Sequence, residues 1–150
     1  MGVAALITWI ITAVGGFILL VTWLSRGGLR GQAGGQSRFP PALILGHFLL
    51  AAVGLVLWIV YLVTDSGGVA WTAFAILLVV ALLGFTMLAR WLQGRRVTVA
   101  AGATTADGRA GAGRASAPEQ HFPVAVVVLH GLLAATTLVL VLLTALGVGD

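Results

Sequence analysis

The chain alternates between long apolar stretches and polar connections. Four stretches of 22 to 24 residues are almost free of charge: 3–24, 41–63, 69–92 and 123–146. A helix of this length measures roughly 33–36 Å, enough to cross a hydrocarbon core of about 30 Å. Backbone groups in lipid must be hydrogen-bonded within their own segment, so each stretch is expected to be a helix. The pattern predicts a single membrane domain, 1–150, built as an all-α bundle of four transmembrane helices.

Composition agrees with this fold class and excludes several functions. The chain is 60% hydrophobic and 8% charged, with a mean hydropathy of +1.12. It has no cysteine, which excludes disulfides, thiolate nucleophiles, iron–sulfur clusters and cysteine zinc sites. The four acidic residues fall in connections or at a terminus, which argues against a carboxylate metal cage or a paired-carboxylate hydrolase. No pattern of an independent enzyme is present, and the question of catalytic activity stays open.

The arginines predict the orientation in the membrane. Connection 25–40 holds three of the eight arginines, and the other five lie between Arg90 and Arg114. The positive-inside rule places both connections in the cytoplasm, with the 64–68 turn and both termini outside. The arginines flank apolar runs instead of forming a phosphate-binding stripe, so no nucleic-acid partner is expected. Composition predicts disorder for 93–122. The preference for Arg over Lys and the high Ala and Gly content suggest a bacterial plasma membrane.

The chain contains an internal repeat. The second and fourth stretches share the motif F-P-x6-H-x-L-L-A-A at an offset of 83, without a gap. The first and third align more loosely at an offset of 68, which places Gly16 opposite Gly84. Each unit has two spans, so both halves keep the same orientation. The sequence predicts two tandem two-helix repeats related by a pseudo-two-fold axis along the membrane normal.

The repeat places two histidines at one depth. His47 and His130 each lie seven residues beyond a proline, roughly 10 Å into the bilayer. An ionisable residue inside a span is a functional-site hypothesis by default. Each is followed one turn later by an alanine, Ala51 or Ala134, which leaves space for a flat ligand. Because neutral imidazole ligates haem iron on either face, the pattern predicts one haem between the second and fourth spans.

Other residues complete the predicted haem site. Gly16 and Gly84 lie near the histidine level on the first and third spans, where a macrocycle would need clearance. Arg38, Arg90 and His121 lie on the cytoplasmic side, where they can neutralise the haem propionates. Simpler alternatives stay open for each. The glycines can be small-residue helix contacts, Arg90 can extend to the membrane surface, and His121 can be solvated.

These features resemble the bis-histidine b-type cytochromes of respiratory membranes, such as the anchor subunits of succinate dehydrogenases. The resemblance covers the four spans in architecture and only a few residues in motif. It implies a haem b, with the axial roles falling on His47 and His130 alone. This chain departs from the two-haem members because it lacks a second intramembrane histidine pair. Electron transfer across the membrane through this chain alone is therefore not implied.

Three functional hypotheses follow. The first is a haem-binding electron-transfer or redox subunit. The second is a non-catalytic accessory or assembly subunit of a larger membrane complex, in which the histidines form hydrogen bonds between helices. The third is a small transporter or channel, which the lack of intramembrane carboxylates disfavours. The partners expected are the lipid bilayer and either other membrane subunits or a redox partner, and both a single chain and an oligomer are compatible with the sequence.

The tryptophans divide by their predicted depth. Trp23 and Trp91 fall at the cytoplasmic interface and Trp71 at the outer one, so all three are predicted to be aromatic-belt anchors. Trp9 and Trp58 lie deeper, and packing between helices is predicted for them.

Overall fold

The structure, a computed structural model, describes residues 1–30, 37, 39–104 and 117–148, and all regular secondary structure in these residues is helical. Within these residues the chain forms four α-helices and a short 3₁₀ helix over Pro118–His121. The α-helices are α1 (Gly2–Ser25), α2 (Pro41–Thr64), α3 (Gly67–Thr104) and α4 (Val124–Ala145). Each contains a stretch long and apolar enough to cross a membrane. The prediction of an all-α chain with four membrane-length helices is confirmed.

Proline and a left-handed residue set several helix ends. Pro41 is the first residue of α2 and Pro123 immediately precedes α4. Proline lacks an N–H group, but the first turn of a helix has no acceptor for that group, so nothing is lost there. Asp65 ends α2 in the left-handed conformation, with φ of 52°. Only Asp65 and Ser66 separate α2 from α3, so these two helices are antiparallel neighbours.

Helix α3 continues beyond the predicted third span. The span was expected to end at 92, but the helix runs to Thr104, and Pro118–His121 is also helical. The connection 93–122, for which composition predicts disorder, therefore contains helical residues near both of its ends. Hydropathy marks where a chain leaves the membrane, whereas a helix propagates until a breaking residue stops it, and 93–104 contains no proline. Residues 105–116 lie outside the described part.

The four helices form a ring in chain order. Helix α2 packs most extensively against α3, and α1 against α4, while the α3–α4 and α1–α2 contacts close the ring. In the described residues, α2 and α4 make no direct backbone contact, so they stand diagonally across the bundle. Any group that joins α2 to α4 must therefore cross the bundle centre.

Two buried clusters fill the two ends of the bundle. We call one end the turn end, because it holds the 65–66 turn, and the other the arginine end, because it holds Arg26 and Arg90. The turn-end cluster comprises Ala5, Trp9, Trp58, Tyr61, Ala70, Ala73, Leu77, Val80 and Val141. The arginine-end cluster comprises Trp23, Phe39, Ile44, Trp91 and Phe122. Large apolar side chains elsewhere on all four helices face outward, as expected of helices surrounded by lipid.

Tight contacts between α1 and α2 stabilise the turn end. A Cβ atom at Gly54 would lie 3.0 Å from Cζ2 of Trp9, so the indole packs directly on the glycine backbone. The indole N–H of Trp58 donates to the carbonyl oxygen of Gly2 at 3.1 Å. The hydrophobic effect does not drive helices together in lipid. Close packing and buried hydrogen bonds of this kind therefore hold the bundle together. The packing role predicted for Trp9 and Trp58 is confirmed.

Two tryptophans predicted to face the headgroups are buried instead. Trp23 and Trp91 are 0% and 5% exposed, whereas Trp71 is 44% exposed. The described residues of the two connections, Ser37 and Glu119 among them, supply partners for the two indoles. Trp23 Nε1 donates to Ser37 Oγ at 3.4 Å, and Trp91 Nε1 donates to the Glu119 carbonyl oxygen at 3.2 Å. The belt assignment is wrong for these two residues because hydropathy cannot show that a connection covers a helix end.

Candidate functional site: two histidines at the bundle centre

The two repeated histidines meet at the centre of the bundle. The ring centroids of His47 on α2 and His130 on α4 are 6.4 Å apart, and the ring planes are inclined by 59°. Both residues are half-buried. Since α2 and α4 are diagonal to each other, the two rings approach between helices whose backbones make no direct contact in the described residues.

The histidines lie between the two buried clusters. On α2, Ile44 belongs to the arginine-end cluster and Ala51 packs against the turn-end cluster, with His47 between them. On α4, Val127 packs against the arginine-end cluster and Val141 belongs to the turn-end cluster. Apolar packing therefore isolates the imidazole layer along the bundle axis from both polar ends.

Each imidazole is held by a backbone carbonyl of a neighbouring helix. His47 Nδ1 lies 3.0 Å from the carbonyl oxygen of Val80 on α3. His130 Nδ1 lies 2.9 Å from the carbonyl oxygen of Thr12 on α1. A carbonyl oxygen only accepts, so Nδ1 is the donor in both rings, and the lone pair of the neutral imidazole lies on Nε2. Within the described part of the chain, neither Nε2 has a hydrogen-bond partner.

A glycine packs against each imidazole. A Cβ atom at Gly16 would lie 2.9 Å from Cε1 of His130, and a Cβ atom at Gly84 would lie 3.3 Å from Cε1 of His47. The sequence placed these glycines at the histidine level as clearance for a macrocycle. In the structure, the space that they leave is used by the imidazole rings themselves.

The two histidine environments are built from corresponding positions. Thr12 and Val80, which supply the carbonyl groups, are separated by 68 residues, as are Gly16 and Gly84. Helix α1 therefore supports the histidine of α4, and α3 supports the histidine of α2. Each histidine is thus contacted by a helix from the other half of the chain. Neither two-helix segment by itself contains both a histidine and the helix that holds its ring.

The other predicted site residues lie around this layer or away from it. Ala51 and Ala134 are half-buried, one helical turn from the histidines. Arg90 is exposed nearer the arginine end of α3, and His121 is half-buried on the 3₁₀ helix. Arg38 lies outside the described residues. Arg90 lines an open groove together with Thr86, Ala89 and Gln93.

Two contributors to the site could not be recognised as site residues from the sequence. The carbonyl groups of Thr12 and Val80 belong to the backbone, and a backbone acceptor has no residue signature. One signal was present, since both positions precede a repeated glycine by four residues. In a helix, the side chain of residue i+4 covers the carbonyl oxygen of residue i, so a glycine at i+4 leaves that oxygen accessible.

A second polar group lies at the arginine end. The Glu119 carboxylate is in a residue that is only 3% exposed, and the Ser37 hydroxyl group lies 3.2 Å from its Oε2. Ser37 Oγ also accepts a hydrogen bond from the Phe39 backbone N–H at 3.2 Å. Phe39 in turn stacks on Phe122, with centroids 6.2 Å apart. This network joins the two connections to each other.

The donor set at the bundle centre consists of two imidazoles, which is the protein ligand set that a haem needs. Among the described residues, no group of three or more His, Cys, Asp or Glu side chains could hold a metal ion. The centre offers only two imidazoles, whereas protein metal sites without a cofactor have three or four protein ligands. Haem brings four ring nitrogens and needs only axial ligands. The two imidazoles, whose centroids are 6.4 Å apart, are the groups that would hold such a haem here.

No protein-family model, no curated protein and no solved structure matches this chain. The functional inference consequently rests on the residues and their geometry. The resemblance to b-type cytochromes stays an expectation, based on the histidine pair and the four membrane-length helices.

Proposed function

We propose that this chain is an integral membrane haem b-binding protein that serves as an electron-transfer or redox subunit. One haem would lie between α2 and α4, with His47 and His130 as the axial ligands of its iron. The observation that carries the proposal is the geometry of these two rings. They approach across the bundle centre, and each donates through Nδ1 to a carbonyl, which leaves Nε2 as the ligating atom.

The hydrogen bonds to the carbonyl groups have a chemical role in this proposal. A metal-ligating histidine characteristically donates its other ring N–H to a carbonyl or a carboxylate, which fixes the tautomer and raises the basicity of the ligating nitrogen. The carbonyl groups of Val80 and Thr12 occupy that position for the two rings. Both rings are therefore oriented in advance and lose little conformational freedom on ligation.

Bound haem supplies one-electron exchange at its iron, and the chain supplies its environment. The apolar clusters on both sides of the imidazole layer exclude water, which is one of the means by which proteins tune a haem potential. The chain has no cysteine, so the haem would be held without covalent attachment, as in b-type proteins. Arg90, Arg38 and His121 are the candidates for the propionates.

We also propose that the bundle consists of two tandem repeats related by a pseudo-two-fold axis along the membrane normal. Three pairs of equivalent positions support this proposal. The histidines have equivalent acceptors, the glycines have equivalent ring contacts, and Phe39 stacks on Phe122 at the offset of 83. An axis through the bundle centre would exchange the two imidazoles.

The arginine distribution supports a proposal for membrane orientation. The arginine end would face the cytoplasm, with both termini and the 65–66 turn outside, in a bacterial plasma membrane. The bilayer is the first partner in this arrangement. A redox partner, or other membrane subunits, would exchange electrons with the haem.

The experiment that tests the function is a reduced-minus-oxidised spectrum of protein purified from haem-replete cells. We expect a b-type band from one haem per chain. His47→Ala and His130→Ala should each abolish the band, and should do so equally. Leu49→Ala and Leu129→Ala are matched controls, since both are large, outward-facing neighbours of the histidines and should keep the band.

Two outcomes would contradict the proposal. Colourless wild-type protein would end it and would favour the accessory-subunit alternative, especially if a large partner co-purified with the double histidine variant. A band that survives both histidine substitutions would show that the haem is held elsewhere.

A further inference from the structure

We propose that Gly16 and Gly84 are positioning residues that lock the two axial imidazoles, and that Gly16 is the stricter of the two. The locked rings would keep both faces of the iron closed to small external ligands such as carbon monoxide. This inference rests on the proposed haem function and adds to it the ligand specificity of the site.

The first step concerns access to the carbonyl groups. In an α-helix a side chain leans toward the N-terminus, so the residue at position i+4 covers the carbonyl of residue i. Any side chain at position 16 would cover the Thr12 carbonyl oxygen, which His130 Nδ1 approaches to 2.9 Å. Glycine leaves this oxygen uncovered, and the oxygen has a second lone pair beyond its helical hydrogen bond.

The second step concerns the ring itself. Three atoms of the His130 ring lie within 4 Å of a Cβ built at Gly16: Cε1 at 2.9 Å, Nδ1 at 3.5 Å and Nε2 at 3.8 Å. The ring therefore rests on the α1 backbone while its Nδ1 donates to the same helix. A ring fixed by both contacts can neither rotate about its Cβ–Cγ bond nor shift toward α1.

The same arrangement is looser around His47. A Cβ at Gly84 would meet only Cε1 at 3.3 Å and Nδ1 at 3.8 Å. A methyl group at Gly84 therefore requires the ring to move by a few tenths of an ångström, whereas a methyl group at Gly16 requires a larger displacement. His130 is consequently the ligand that should be lost first when its glycine is replaced.

The test is carbon monoxide binding to the reduced protein, measured as a difference spectrum. We expect the wild type to show no change in buffer saturated with carbon monoxide. Gly16→Ala should give a carbon monoxide difference spectrum at least ten times the detection limit, because His130 would leave its axial position in part of the molecules while His47 still holds the haem. Gly84→Ala should fall between the two.

Neighbouring glycines provide matched controls. A Cβ at Gly15 would make only an ordinary contact with His130, at 3.6 Å, and a Cβ at Gly46 would meet nothing within 4 Å. Gly15→Ala and Gly46→Ala should behave like the wild type. Added imidazole should suppress carbon monoxide binding by Gly16→Ala, because it replaces the displaced ligand, and a purely structural defect would not respond in this way.

Several outcomes would overturn the inference. Coloured wild-type protein that binds carbon monoxide would overturn it while leaving the haem function intact. Equal carbon monoxide binding by the Gly16→Ala and Gly15→Ala proteins would also overturn it. If Gly16→Ala does not fold, the comparison of Gly84→Ala with Gly46→Ala decides the question. Colourless wild-type protein would remove the proposed function and this inference together.

Discussion

His47 and His130 lie 6.4 Å apart, centroid to centroid, although the helices that carry them make no direct backbone contact in the described part of the chain. The rings lie at the bundle centre because each imidazole reaches a backbone carbonyl oxygen of a neighbouring helix, that of Val80 for His47 and that of Thr12 for His130. Glycines on the two intervening helices leave space for them. This relationship connects the sequence repeat to a chemical site, and each histidine depends on a helix of the other half.

Haem removal should destabilise the bundle. A ligand that binds only the folded state stabilises it by mass action, by about 2.7 kcal/mol when its concentration is a hundred times the dissociation constant. The two proposed axial ligands lie on different tightly packed helix pairs, α2–α3 and α1–α4, so a bound haem would join these pairs. We expect a lower thermal midpoint for haem-free protein in detergent. His47→Ala should melt at the same temperature with and without added haem, and a retained difference would argue against axial ligation by His47.

Trp23 should matter far more to stability than Trp71. Trp23 is completely buried, contacts Gly28 closely and donates to Ser37, whereas Trp71 is 44% exposed. Trp23→Ala should reduce the free energy of unfolding by about 3–5 kcal/mol, as expected for a large cavity. Trp71→Ala should change it by less than about 1 kcal/mol. Chemical unfolding in mixed micelles measures both, and similar losses would mean that Trp23 faces lipid.

Ser37 should stabilise the arginine end. Its hydroxyl group accepts from Trp23 Nε1 and from the Phe39 N–H, and it lies within hydrogen-bonding distance of Glu119 Oε2. Ser37→Ala leaves these buried groups with one partner fewer, at a cost of about 1–3 kcal/mol. Ser25→Ala is the control, because Ser25 is exposed and its hydroxyl group donates to the Thr22 carbonyl oxygen within its own helix. Equal thermal midpoints for the two variants would exclude this role.

Gly54 should not tolerate a methyl group. Its Cβ would lie 3.0 Å from Trp9 Cζ2 and 3.3 Å from Ile76 Cγ2, so α1 and α3 would both be pushed away from α2. Overpacking of this kind costs about 1–3 kcal/mol. Gly46→Ala lies on the same helix with open space around it and should leave the thermal midpoint unchanged. A neutral effect of Gly54→Ala would show that α1 and α2 can separate freely at the turn end.

The absence of cysteine makes the membrane orientation directly measurable. Ser25→Cys places one thiol at the arginine end, and Ser66→Cys places one at the turn end, both at exposed positions. In right-side-out vesicles, a membrane-impermeant maleimide should label Cys-substituted position 66 and spare position 25. Inverted vesicles should show the reverse. Labelling of both positions from one side would contradict the arginine-based topology.

The sequence predicted the helices well where the signal was local. Proline at the start of α2, the two-residue turn and the apolar length of each span are properties of neighbouring residues. The end of α3 was predicted too early, because the predicted span stopped before the polar residues Gln93, Arg95 and Arg96, whereas the helix continues past them. Trp23 and Trp91 were misplaced for a related reason, since their burial depends on segments distant in the chain.

For the candidate site too, the sequence predicted local features but not the contacts between helices. The offset of 83 placed His47 and His130 at one depth, and the offset of 68 placed Gly16 and Gly84 beside them in register. Neither offset shows which helix supports which histidine. The acceptors for the imidazoles are backbone carbonyls, and every residue has one, so only the packing of α1 on α4 and α3 on α2 selects Thr12 and Val80.

By itself, then, the sequence determined the number and order of the apolar helices and the equal distance of the two histidines from the prolines that precede them. These follow from hydropathy and from 1.5 Å of rise per residue, which are fixed along one chain segment. Only the tertiary structure decided that the rings meet, which nitrogen each presents, and which glycine each rests on. Those properties depend on the rotation and pairing of separate helices, which apolar side chains of similar size leave almost unspecified in lipid.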